Sequence, residues 1–141
     1  AHWCPPCRGF TPALVEWYKK LKDSGKDLEI IFVSSDRDEA AFTEYYAEMP
    51  WLAMPYSERE AKDKLSRKLK VNGIPTFVLA DGETGEVYET NARSIVGSDP
   101  TGEGFPWVPP TLEEALGTSF VRNDGSSVSV DELKSKYVAL L

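Results

Sequence analysis

Cysteine is nearly absent, with two in 141 residues, Cys4 and Cys7. Two cysteines cannot build the disulfide framework of a small secreted scaffold. Histidine is scarcer still: His2 is the only one. A structural zinc site takes four ligands, and two thiolates with one imidazole fall short of that number. Long apolar runs are missing as well. The longest, Ile30–Val33 and Val138–Leu141, are far below the roughly 20 residues a membrane-spanning helix needs. Basic residues are in deficit, 16 Lys and Arg against 23 Asp and Glu, for a net charge of −7. That balance argues against nucleic acid or an anionic membrane as partner. What the chain does have is 41% hydrophobic and 28% charged residues, a globular composition long enough for one domain with a core. It shows no internal repeat and no low-complexity tract.

Periodicity and punctuation divide the chain into short α and β elements. Pro5 and Pro6 suit the start of a helix, whose first N–H groups have no internal partner. Phe10, Leu14, Tyr18 and Leu21 then fall at helical spacing, with Val15 and Trp17 widening the face. Pro12 predicts a kink there, and Gly25 an end. Leu28–Ser35 is apolar and β-branched, which predicts a buried strand. Asp36–Glu48 predicts a second helix with Phe42, Tyr45, Tyr46 and Met49 inward. The stretch from Met49 to Ser57 predicts an extended connector, and Ser57 a cap for a helix to about Leu69. Thr76–Asp81 and Glu86–Thr90 predict two antiparallel strands. Asn91–Pro110, rich in Gly, Pro and Asp, predicts a loop carrying Phe105 and Trp107. Thr111 caps a short helix, Thr118–Val130 predicts a hairpin around Asn123-Asp124-Gly125, and Tyr137–Leu141 a final buried strand.

The two cysteines stand three apart where the first helix begins. At that spacing they share one face and can close a disulfide. The positive end of the helix dipole lowers the pKa of the first thiol, so Cys4 is the expected nucleophile. Cys7, one turn in and expected to be the more buried, would resolve a mixed disulfide. Both residues between them are proline, which leaves the Cys7 N–H as the main backbone donor toward a Cys4 thiolate. A redox pair is the favoured reading. A zinc site and a purely structural disulfide, which would stabilise little across so small a loop, are the alternatives.

Trp3-Cys4-Pro5-Pro6-Cys7-Arg8 resembles the active-site motif of tryparedoxins and nucleoredoxins, members of the thioredoxin superfamily. The similarity extends through Phe10–Lys22, Glu29–Tyr56, Gly73–Val87, Gly102–Trp107 and the last twenty-odd residues. It implies an α/β thioredoxin fold, a central mixed sheet flanked by helices, with a β-hairpin extension supplied by the C-terminal segment. It implies thiol–disulfide oxidoreductase activity, with Cys4 and Cys7 catalytic, no cofactor and no metal. It also implies a cis bond before Pro75, with Ile74 offering its backbone to an extended substrate. Trp3, Pro5 and Pro6 would complete the substrate surface and Arg8 would support the thiolate. Asp36 and Arg37 follow a strand at its carboxyl end, where α/β folds place sites, but read better as solvated loop charges. Trp51 and Trp107 read as packing residues.

In such folds the motif follows directly on a central strand, which here reads as Tyr137–Leu141 at the far end of the chain. The expectation is therefore one domain over residues 1–141, of which 111–141 supplies elements that normally precede the motif. A circular permutation, a slice of a tandem array or a domain-swapped dimer would each give that order. Expected partners are disulfide-containing proteins and an external thiol or reductase as electron donor, with no nucleic acid and no membrane, in cytoplasm or nucleus. The rival from another class is a redox-responsive binding module in which the cysteines gate an interaction without turnover.

Overall fold

The computed structural model describes residues 1–133, with the backbone alone at Leu112 and Glu113. The chain divides into two units, Ala1–Trp107 and Val108–Leu141.

In the first unit, α1 (Pro5–Asp23) is the longest element. Cys4 caps it, its Sγ accepting the Cys7 N–H at 3.3 Å, and Pro5 and Pro6 occupy the positions where no N–H is missed. Lys20 and Lys22 in the last turn suit the negative end of the dipole. The helix continues through Pro12 as one element. Its inward stripe is Cys7, Thr11, Leu14, Trp17, Tyr18 and Leu21, the three- and four-residue spacing of a single buried face. Leu14, Trp17, Tyr18 and Leu21 form the core with Ile30, Trp51 and Val96, and Phe10, Val15, Phe77 and Trp107 pack against it. Trp17 is its aromatic centre: Trp107 stacks on it at 5.1 Å and Phe77 meets it edge-on at 6.0 Å. Trp51 and Trp107 are thus packing residues, as expected.

The strands are shorter than the sequence suggests. β1 (Ile31–Phe32) pairs in parallel with β2 (Leu52–Ala53), and β3 (Leu79–Ala80) pairs antiparallel with β4 (Val87–Glu89). β2 falls in the stretch expected to be a connector; two residues between prolines carry no readable period. The strand expected over Tyr137–Leu141, and with it the permuted order of segments, lies outside the described residues. Those described pair two by two in a mixed α/β arrangement.

α2 (Glu39–Tyr46) begins later than expected because Asp38, not Asp36, caps it, accepting the Ala41 N–H at 2.8 Å. Tyr45 is its buried residue; Phe42, Tyr46 and Met49 are half-buried. α3 (Arg59–Lys68) starts after Glu58 with no side-chain cap, so Ser57 does not serve as one. Within the expected loop lies a further helix, α4 (Arg93–Ser98), which buries Val96. The turn after it is organised by Asp99, whose carboxylate accepts the Glu103 and Gly104 N–H groups, both at 2.9 Å, and the Trp107 indole at 2.7 Å.

The second unit opens with α5 (Leu112–Leu116). Thr111 and Glu114 cap it reciprocally: the Thr111 N–H donates to Glu114 Oε2 and the Glu114 N–H to Thr111 Oγ1. β5 (Ser119–Val121) and β6 (Ser127–Ser129) form the expected hairpin, and a 3₁₀ turn, Val130–Leu133, follows. Gly125 in the turn has φ +83°, a conformation that favours glycine.

Candidate active site

Cys4 and Cys7 are joined in a disulfide, with their Cα atoms 5.3 Å apart. The N-terminal turn of α1 dictates this closeness, because residues three apart there face the same way. Ala1 and Ile74 pack against the pair. Cys4 is 3% exposed and Cys7 5%. Burial therefore does not separate the two sulfurs as expected: both lie in one small buried cluster with Ala1, against which Ile74 packs. The Ile74–Pro75 bond is cis, in accord with the implied geometry. The Ile74 carbonyl lies 3.8 Å from Cys4 Sγ, where a reduced Cys4 thiol would find an acceptor. Around the pair, Pro5, Pro6 and Arg8 are exposed and Pro75 is half-buried. Trp3 is 51% exposed and donates its indole N–H to the Ser35 carbonyl at 3.1 Å.

The structure thus brings Trp3, Cys4, Pro5, Pro6, Cys7, Ile74 and Pro75 into one neighbourhood. Arg8 begins the next turn, its N–H donating to the Cys4 carbonyl at 3.1 Å.

Asp36 differs from its sequence reading. It is not a solvated loop charge but 5% exposed. One carboxylate oxygen accepts the His2 N–H at 2.7 Å, the other accepts the Ser34 hydroxyl at 2.7 Å, and the Asp36 N–H donates back to Ser34 Oγ at 2.8 Å. These bonds fix the stretch just ahead of Trp3 and Cys4 to the end of β1. Arg37 is exposed, as expected. Below His2, Tyr45 stacks on the imidazole at 5.7 Å and shares a 2.6 Å hydrogen bond with Thr11. Burial pushes the Tyr45 phenol above its ordinary value, against the opposing pull of the Thr11 bond, so it stays neutral across the physiological range. Ser34, Asp36, Thr11 and Tyr45 form a polar support that the sequence reading does not assemble: it has Asp36 as a loop charge and Tyr45 as a core residue, and passes over Ser34 and Thr11. The serine two before an aspartate after a strand was the one local signal, since it can meet the aspartate's carboxylate and N–H together.

Among the described residues no group of three or more His, Cys, Asp or Glu could hold a metal ion, and no helix is long and apolar enough to cross a membrane.

Residues 1–87 match a family described as thioredoxin-like. A nucleoredoxin of Danio rerio is 49% identical over 126 residues, covering 89% of this chain and 30% of that protein. A nucleoredoxin of Bos taurus is 46% identical over the same length, covering 29% of its own. The chain therefore spans less than a third of the curated nucleoredoxins it matches. A tryparedoxin of Trypanosoma brucei brucei is 44% identical over 107 residues, 76% of this chain and 74% of that one. The crystal structure of native tryparedoxin I from Crithidia fasciculata superposes with a TM-score of 0.72 at 47% identity, covering 78% of this chain and 76% of that one. A fold shared at that level, a Cys-Pro-Pro-Cys disulfide at a helix start and a cis-proline neighbour agree with the sequence motif, and the chain belongs to the thioredoxin-like family, in the group of the nucleoredoxins and tryparedoxins.

Proposed function

We propose that this chain reduces disulfides in proteins or small thiol carriers through the Cys4–Cys7 pair. The observation that carries the reading is the capping geometry: the Cys7 N–H points at Cys4 Sγ from 3.3 Å at the N-terminus of a 19-residue helix. That arrangement favours a thiolate on Cys4 over the thiol. In the reduced form, the Cys4 thiolate attacks one sulfur of the substrate disulfide. A Cys4–substrate disulfide forms and the other substrate sulfur leaves as thiolate. The Cys7 thiolate then attacks Cys4 Sγ, closing the Cys4–Cys7 bond and releasing the second substrate thiolate. Two electrons pass from the cysteine pair to the substrate, and two protons from solvent or neighbouring groups complete its thiols. An external thiol or reductase returns the pair to the dithiol.

Trp3, Pro5, Pro6, Ile74 and Pro75 are the proposed substrate surface, and Arg8 the supporting cation. The half-buried Ile74 beside Cys4 supports a short backbone pairing with an extended substrate. One relative by fold, a tryparedoxin II, is described as complexed with glutathionylspermidine, which is consistent with thiol carriers as substrates. A reducing compartment, cytoplasm or nucleus, suits the chemistry.

Insulin reduction with dithiothreitol as donor tests the reading. The wild-type chain should accelerate it, Cys4→Ser should fall to background, and Cys7→Ser should accumulate a mixed disulfide with substrate on Cys4. A folded wild-type chain at background rate would instead favour the binding-module reading.

A further inference from the structure

An open depression of about 330 Å³ lies beside Cys4, lined by His2, Trp3, Arg8, Arg37, Asp38 and Ala41. Its charge runs against that of the chain, which is −7 overall. Neither the Arg8 nor the Arg37 guanidinium has an ion-pair partner among the described residues. The acids nearby are otherwise engaged. Asp38 takes the Ala41 N–H at the start of α2, buried Asp36 takes the His2 N–H and the Ser34 hydroxyl, and Glu44 lies 3.6 Å from His2 Nδ1. The Arg37 guanidinium centre sits 5.6 Å over the Trp3 ring, within reach of a cation–π attraction, and Arg37 is exposed, so its N–H groups are open to a ligand. Trp3 is itself held by its bond to the Ser35 carbonyl. Arg8 is tied by its backbone to the Cys4 carbonyl. Two arginines therefore line one depression with Trp3, Arg8 one helical turn from the nucleophile and Arg37 over the indole.

Planar guanidinium groups bind carboxylates through paired N–H bonds, and an ammonium does not reproduce that fit. Resting on the oxidoreductase reading above, we infer that this depression selects substrates carrying carboxylates next to the disulfide, with Arg37, seated over Trp3, as the specificity-determining residue. The carboxylates come either from an acidic polypeptide segment or from a small anionic thiol of the glutathione type. The contact does no chemistry itself; it raises the residence of the substrate beside Cys4 and its encounter rate at low salt.

The test compares kcat/KM for disulfide-linked peptides whose cysteines are flanked by Glu or by Lys, and for glutathione disulfide against its diethyl ester, with dithiothreitol as donor. The Glu peptide should exceed the Lys peptide by about 3- to 10-fold at low ionic strength, the range expected for one or two exposed ion pairs. The gap should shrink at about 0.5 M salt, where screening acts within a few ångströms. Arg37→Glu should reverse the order of the two peptides, and Arg37→Lys should restore part of it. Discrimination among the peptides assigns the site to acidic polypeptides; discrimination confined to glutathione disulfide against its ester assigns it to small anionic thiols. Equal rates for both members of both pairs would overturn the inference and leave the oxidoreductase reading intact. Absence of turnover on every substrate would overturn that reading instead. Binding of Cys→Ser versions of the peptides to the oxidised chain, followed at the Trp3 indole N–H by NMR, then decides the inference: a Glu preference sustains it and no preference sinks it.

Discussion

Gly102 in the first unit and Gly125 in the second hold nearly the same left-handed backbone, φ +71° and +83°. Their surroundings differ completely. A Cβ added to Gly102 would run into Cδ2 of Leu21, whereas nothing lies within 4 Å of one added to Gly125. Leu21 is fully buried, in a core assembled from residues far apart in the chain. The hairpin around Gly125 is set by neighbours: the Asp124 carboxylate takes the Ser126 N–H and hydroxyl, and the Arg122 N–H reaches the Ser126 carbonyl. Among the described side chains from Val108 onward none is buried. The first unit is held by long-range packing, and the described part of the second by turn and cap chemistry.

Gly102→Ala should be the most damaging single change of this pair. The left-handed backbone costs about 1–2 kcal/mol for any residue with a Cβ, and forcing a methyl into packed core adds about 1–3 kcal/mol. A loss of about 2–5 kcal/mol in urea unfolding is expected. Leu21→Ala alone should cost about 2–5 kcal/mol through lost burial and cavity. In the double variant the obstructing Cδ2 is gone, so Gly102→Ala should then add little beyond its backbone cost. Strict additivity of the two losses would refute the steric account.

Asp99 gives the first unit a pH dependence. The Trp107 indole, and after it the Gly104 N–H, hold its carboxyl below the usual carboxylate range. A group depressed in the folded state stabilises above its unfolded pKa, and the contribution fades as pH falls from the ordinary carboxylate range through the lower folded value. Asp99→Asn should therefore be less stable than wild type at pH 7, with the gap closing as acid protonates Asp99 in the wild type. Unfolding curves at pH 7, 5 and 3 check this; a gap constant across that range would exclude the carboxylate as its source.

The same division explains what could be read in advance. α1 was legible because its stripe repeats over nineteen residues, and α5 and the β5–β6 hairpin because a capping box and an Asn-Asp-Gly turn are local signals. The cysteine pair was legible for the same reason, its geometry being contained in one helical turn. β2 and α4 were not. Leu52–Ala53 is a strand only because β1 lies beside it. Arg93–Ser98 contains Gly97 and sits among prolines and glycines; Val96 in the core and the Trp17 indole bonded to the Asp99 carbonyl hold its place. Asp36 shows the limit most directly. Its partner at His2 is 34 residues away, and beyond the serine two residues before it no local pattern distinguishes a carboxylate that will receive an amide from one left in water.

Gly125→Ala should cost about 1–2 kcal/mol, the left-handed backbone alone. The loss should appear in amide exchange of β5 and β6 and leave the Trp17 environment of the first unit unchanged. An equal loss at both sites would contradict the division into a packed and a locally set unit.

Val121→Ser should be the smallest effect. Val121 is 80% exposed and pairs with Ser127 across the hairpin. Little apolar area leaves water there on folding, so the transfer contribution is small. What remains is the preference of a β-branched side chain for a strand, a fraction of a kcal/mol. A change within about 0.5 kcal/mol is expected from hairpin amide exchange. A loss several times larger would mean that the face carrying Val121 is covered in solution, and the second unit would then owe its stability to burial as the first does.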